Sequence, residues 1–458
     1  MMLLPACKFL SQRTSTVCQT NAACFPDEIC CRGICTKVST LTFGGSTSCS
    51  YDVDGSPLPI EVLAEAKFFD GSVDRSHATV DSSGNVFIVW GESDSTNARV
   101  FAGRYNQDLS GGSTKKLIAI TGGYFDEPRI AVDGRGNALA SWMSNARSTL
   151  HASRYVVETN TWGDFETVFP QGAFDVLSGQ SVSLAESGEG IVVWSLDAGG
   201  VYAKRVVVDG GFSSTTTVSP SLKATGLRVA AGNDRTAMAA WRSDDAGVYG
   251  VVLEVVDGGW EVKFMDVVPV EADASVVAIA TSPVSVAVGL SVWDALASDW
   301  VVYAARYVSP AGWSCCEPVD TLNTPVTAVA VAAGAGGQNV VSWSQRTPSE
   351  ANIWASRSGA DAGEWTSSLI SATAVGTVLW TAVDPNGGAL VGWESIDGLY
   401  VARSNRTGDV WTTPVKFAEL GQGGTLPPFS AAMNAAGNGV VAWHEFADAG
   451  TLRFVVFR

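Results

Sequence analysis

Residues 78–90 read Ala78-Thr79-Val80-Asp81-Ser82-Ser83-Gly84-Asn85-Val86-Phe87-Ile88-Val89-Trp90. A short apolar run meets a turn of Asp, Ser, Gly and Asn, and a second apolar run ends on a Trp. Asp, Asn and Gly supply tight-turn chemistry, so the stretch reads as two antiparallel strands. The pattern recurs. NALASW ends at Trp142, GIVVW at Trp194, AMAAW at Trp241, GLSVW at Trp293, NVVSW at Trp343, ALVGW at Trp393 and GVVAW at Trp443. Successive Trp are 52, 52, 47, 52, 50, 50 and 50 residues apart. The first strand and its turn return as IAVDGRGN, TAVDPNGG and AAMNAAGN.

Each copy predicts four strands, A to D. Strand A leads into the Gly/Asp turn, and strand B ends at the aligned Trp. Strand C carries Phe101, His151, Tyr202, Tyr249, Tyr303, Trp354, Tyr400 or Phe454. Strand D opens with Trp162, Phe212, Trp260, Trp313, Trp365 or Trp411. Short strands with closely spaced turns and no amphipathic helix mean an all-β chain. A four-stranded repeat near 50 residues has the size of a β-propeller blade. Eight blades are expected over 59–458; seven is the alternative, because the A–B turn of the fifth copy, TSPVSVA, is degenerate. The last copy stops after strand C, at Thr451–Arg458, and a spare strand, Pro59–Asp70, precedes the first copy. The two ends would share the eighth blade in a 3+1 closure that leaves no open edge.

The apolar share is 46% and the charged share 16%, the reverse of a disordered chain. The 29 basic against 46 acidic residues give a net charge of −17, which argues against nucleic acid or an anionic membrane surface as partner. With only His77, His151 and His444, a His-rich metal centre is excluded, and no cofactor is expected. Asp52-Val53-Asp54-Gly55 lacks the further ligands of a Ca²⁺ loop and reads as a turn. Ala274–Trp293 is uncharged and long enough to span a bilayer, but Pro283, several Ser and β-branched alternation make it two strands of the repeat.

Seven of the nine Cys lie in the first 49 residues. Cys18, Cys24, Cys30, Cys31, Cys35 and Cys49 have an adjacent pair, no nearby His and no paired C-x2-C spacing, which suits a three-disulfide module better than zinc. The spacing resembles an inhibitor cystine knot; the connectivity stays open. Leu4-Pro5-Ala6-Cys7 looks like the end of a bacterial lipobox, with Cys7 the lipidated residue, although Met1–Ala6 is too short for a leader. The expected organisation is a Cys-rich module in 1–50, a linker in 51–58 and the propeller in 59–458. It implies an extracellular or cell-envelope location, with membrane contact only through the lipid.

The repeats resemble bacterial secreted propellers of the sialidase-like and lectin-like superfamily, with a D-x-x-G-N-apolar-apolar-x-W core. The resemblance speaks for fold and little for activity. The S-x-D-x-G-x-T-W boxes of sialidases are absent. A sialidase would converge three Arg at the central mouth. Here Arg104, Arg154, Arg205, Arg306, Arg357 and Arg403 recur at equivalent places on strand C and so form a ring. They are expected to be structural ion pairs with Asp81, Asp133 and Asp384.

The A–B turns are uniform, whereas the B–C loops vary, and binding chemistry concentrates on loops held by a rigid scaffold. Glu92, Asp94, Asp197, Asp244, Asp245, Glu394, Asp397 and Glu445 lie in or beside these loops, with Trp300 nearby. Acidic groups bordered by aromatics suit sugar hydroxyls and apolar sugar faces. The expected function is a monomeric, non-catalytic propeller that binds a glycan or a surface protein through several weak sites. The alternatives are an adhesive scaffold without a small ligand and a divergent glycoside hydrolase.

Overall fold

A computed structural model describes residues 28–31, 34–37, 60, 62–68, 73–93, 98–106, 116–121, 125–144, 146–170, 175–207, 211–232, 235–243, 247–269, 274–294, 299–308, 312–314, 317–319, 326–346, 351–359, 365–372, 376–384, 386–405, 410–419, 430–434, 437–445 and 451–457. Among them, eight antiparallel sheets form the blades of a β-propeller. Blade 1 runs Val73–Val80, Val86–Ser93, Ala98–Tyr105 and Lys116–Thr121 from strand A to strand D. The degenerate fifth copy is a blade like the others: Ala274–Thr281 and Ser285–Asp294 are its strands A and B, joined by a turn one residue shorter, with Ser282 N donating to Ser285 O at 2.8 Å. No helix among the described residues is long and apolar enough to cross a membrane.

Closure follows the 3+1 scheme. The strand Val62–Phe68 pairs antiparallel with Thr451–Phe457, with Val62 opposite Phe457 and Phe68 opposite Leu452. It is the outermost strand of blade 8, whose inner strands are Gly439–Glu445 and Ser430–Met433. Two bonds then join blade 8 to blade 1: Ala78 N donates to Ser430 Oγ at 2.9 Å, and Asn434 Nδ2 donates to Asp81 O at 2.8 Å.

In blades 1 and 2 the A–B turn is capped by its first residue, an aspartate. Asp133 Oδ1 accepts from Arg135 N and Asn137 N, and its Oδ2 accepts from Asn137 Nδ2 at 2.8 Å. Asp81 makes the same three bonds in blade 1. Gly84, Gly136, Gly188, Gly337, Gly387 and Gly437 take the positive φ that the turn requires.

The core divides, among the described residues, into eight clusters, each joining two neighbouring blades. The strand B Trp are its largest members. Trp90, Trp142, Trp194, Trp241, Trp343 and Trp393 are fully buried. Each lies against the aromatic of strand C; Trp241 stacks on Tyr249 with centroids 5.6 Å apart and planes at 9°. Burying apolar faces between blades, rather than within them, makes each blade depend on its neighbours.

One expectation is corrected. Both carboxylate oxygens of Asp81 and Asp133 serve their own turns, so neither pairs with a strand C arginine. Four of those arginines reach backbone carbonyls of the next blade. Arg154 Nη2 donates to Gly188 O at 3.3 Å, Arg306 Nη1 to Gly359 O at 3.0 Å and Arg403 Nη2 to Gly437 O at 2.7 Å. Arg205 donates to Gly258 O at 3.4 Å and also pairs with Glu189 of its own blade. The ring is structural, as expected, but its acceptors are carbonyls at the turns of the following blade.

Near the N-terminus Glu28–Cys31 pairs with Ile34–Lys37, with Cys30 opposite Cys35. The disulfides expected for the Cys-rich module, the lipidated Cys7 and the pair Cys315-Cys316 lie outside the described residues or concern side chains there.

Candidate functional site

The strands A line the axis of the ring. In blades 1 to 7 each has a register shift near its start, where the B–C loops also lie: Val73/Arg75, Asp126/Arg129, Leu177/Gly179, Thr225/Arg228, Ala274/Val276, Val326/Ala328 and Val378/Trp380. Bulges re-aim side chains. At this end a cavity of about 360 Å³ opens between blades 1 to 4, lined among others by Arg75, His77, Glu127, Arg129, Ser181 and Arg228. The volume is at the low end of small-ligand pockets.

Four of these side chains occupy one structural position. The A–B turns start at Asp81, Asp133, Ala185 and Gly232. Four residues before each stand His77, Arg129, Ser181 and Arg228. In blades 5 to 8 the same position holds Ala278, Ala330, Trp380 and Ser430. The ring is thus symmetric in backbone and asymmetric in chemistry, with a cationic and polar half facing a largely apolar one.

Charge at the cavity is unevenly satisfied. Asp126, 1% exposed, accepts from Arg75 Nη1 at 2.7 Å and from Arg147 Nε at 2.5 Å. Arg147 comes from the B–C loop of blade 2. Among the described residues neither Arg129 nor Arg228 has a carboxylate within 4 Å, although Glu127 acts on both at longer range. Arg129 Nη1 donates to Pro128 O at 3.0 Å and Arg228 Nη1 to Leu227 O at 2.9 Å. Burial, followed by the positive charge of Arg129, pushes Arg228 down to about 10. Arg228 is open to solvent along the cavity and also ringed by protein. Burial also lowers Arg129. His77 is pushed down to about 3 by burial, then by Arg129 and Arg228, and its buried Nδ1 has no hydrogen-bond partner.

Glu127, beside Arg129, has φ +44°, a left-handed conformation that costs a non-glycine residue energy and tends to mark functional sites. Its carbonyl is held by Gln180 Nε2 at 2.5 Å from the neighbouring blade, and Gln180 in turn receives Ser141 Oγ at 2.7 Å. This buried relay fixes the cavity wall.

The residues expected from the sequence lie elsewhere. Glu92, Asp197, Glu394, Asp397 and Trp300 belong to blades 1, 3, 7, 7 and 5, and none lines the axial cavity. Glu92 accepts from Trp90 Nε1 at 3.0 Å. Asp197 is exposed and 3.6 Å from Lys223 Nζ. Asp397 accepts from Tyr400 Oη at 2.7 Å and is 3.4 Å from Lys416 Nζ; the tyrosine first, then the lysine, hold its carboxyl below the usual range. Burial pushes Glu394 up. Trp300 packs in the cluster between blades 5 and 6. Asp94, Asp244, Asp245 and the side chain of Glu445 lie outside the described residues. Among the described residues, no three His, Cys, Asp or Glu side chains group to hold a metal ion.

No family model and no curated protein matches the chain. Solved structures similar in fold include the BP39L lectin from Burkholderia pseudomallei, at 15% identity over 76% of this chain and 100% of that chain, with a TM-score of 0.48. The polysaccharide lyase Uly1 is similar at 10% identity over 87% and 99%, with a TM-score of 0.46. The β-propeller domain of the Trilobed protease from Pyrococcus furiosus is similar at 10% over 71% and 95%, with a TM-score of 0.40. At such identities no activity transfers from one protein to another.

Proposed function

We propose that this protein is a non-catalytic carbohydrate-binding propeller, exported or anchored at the cell envelope, whose ligand docks on the B–C face and enters the axial cavity. Hydrogen-bonding groups of four blades converge on one cavity at that face: Arg75 and His77, Arg129, Ser181 and Arg228. That convergence carries the reading, since a few placed polar groups in a concave site fix a small ligand. Hydrolysis of a glycosidic bond takes two carboxyls about 5–10 Å apart. Among the described residues Glu127 is the one carboxylate lining the cavity, which favours binding over turnover. The dense N-terminal Cys support export.

A glycan array, probed with the intact chain and with Arg129→Ala and Ser181→Ala, tests the site. Binding that both variants weaken, with no new reducing ends or unsaturated products, supports it. Binding that follows Glu394→Ala and Asp397→Ala instead moves the site to the loops. Product formation overturns the non-catalytic reading. No binding at all leaves the adhesive scaffold.

A further inference from the structure

We infer that the axial cavity takes one anionic group of an acidic saccharide, a ring carboxylate or a sulfate ester, between the guanidinium groups of Arg129 and Arg228. The inference rests on the carbohydrate-binding reading and names the ligand class of that site. In a chain of net charge −17, the cavity gathers three guanidinium groups, and Asp126, the buried carboxylate behind its lining, is already taken by Arg75 and Arg147. Arg129 and Arg228, on blades 2 and 4, flank Ser181 of blade 3, which is 6% exposed, and Glu127, the one carboxylate lining the cavity among the described residues, balances only one of the two charges. Two like charges held at one cavity repel each other, and a single carboxylate offsets only part of that repulsion. An oxyanion between them offsets the rest. Guanidinium groups match carboxylate and sulfate oxygens with paired N–H donors. The Ser181 hydroxyl and the unpartnered His77 Nδ1 offer further polar contacts. The acidic exterior repels an extended polyanion, so an isolated charge on a sugar fits better than a densely charged polymer. Because blades 5 to 7 carry Ala278, Ala330 and Trp380 at the equivalent position, the ring holds one such site rather than eight.

Titration calorimetry of the full chain at low ionic strength with glucuronate, glucose 6-sulfate, glucose and inorganic sulfate tests this. At least one charged sugar should bind with a stoichiometry near one and at least tenfold more tightly than glucose. Arg129→Gln and Arg228→Gln should each abolish that preference, and Asp197→Asn should not change it. Each Arg variant should also melt no lower than the parent, because it removes one of two like charges; a purely structural arginine would lower the melting temperature. Equal affinity for glucose and glucuronate, unmoved by Arg228→Gln, overturns the anion site and leaves carbohydrate binding standing. Binding of inorganic sulfate with none of the sugars overturns carbohydrate binding. Absence of binding by every charged probe at millimolar concentration overturns the inference.

Discussion

Burial, and then the charges of Arg129 and Arg228, oppose protonation of His77, and this gives stability a pH signature. Its ordinary value is 6.5, and in the folded ring it falls to about 3. Between these values the unfolded chain binds a proton at His77 that the folded chain refuses. Stability therefore falls as pH drops from 6.5 towards 3, by up to about 5 kcal/mol from this residue over the full span. Melting curves of the parent and His77→Gln from pH 7 to 4 check it: the variant should lose less. Parallel curves would mean that His77 is neither shielded from solvent nor set against the arginines. The sequence offered little sign of this. His77, Arg129, Ser181 and Arg228 are four unlike residues, so a search for repetition passes over them. The signal that finds them is the converse one, a charged side chain in the middle of an inner strand that is apolar in other blades.

At the scale of the element, repetition was readable because every blade solves the same two problems. A turn must be capped, and a face must be buried against the next blade. Asp81 and Asp133 do the first, and the strand B Trp do the second. Trp241→Ala, which empties a fully buried indole site in the cluster between blades 3 and 4, should cost about 3–5 kcal/mol by chemical denaturation. Asp397→Ala should leave the melting temperature unchanged, because exposed ion pairs and hydrogen bonds contribute little. A small loss at Trp241 would mean that the blade interface repacks freely. The strand C arginines show where reading by residue type fails. A search for partners among charged residues finds aspartates, but the acceptors are main-chain carbonyls, which every residue carries. The loop carboxylates illustrate a related failure: variability marks where loops differ, whereas the axial cavity is made within strands, at bulges.

For the whole molecule, closure is the feature on which the ring depends. Removing Pro59–Asp70 takes away strand D of blade 8 and bares the edge of Thr451–Phe457. The shortened chain should aggregate or melt well below the parent, and scattering together with calorimetry would show it. A shortened chain that melts like the intact one would mean that the outer strand adds nothing. The pairing of 62–68 with 451–457 also fixes an order of events during synthesis. A ribosome makes Val62–Phe68 before any blade exists and Thr451–Phe457 after every other blade is complete. The earliest strand of the ring thus waits through the synthesis of seven blades for its partner, and a nascent chain carries its unmatched segment until Thr451–Phe457 emerges. A message cut short before Thr451 would release a product with seven finished blades and an unpaired Val62–Phe68, the kind of exposed strand that proteases and chaperones recognise.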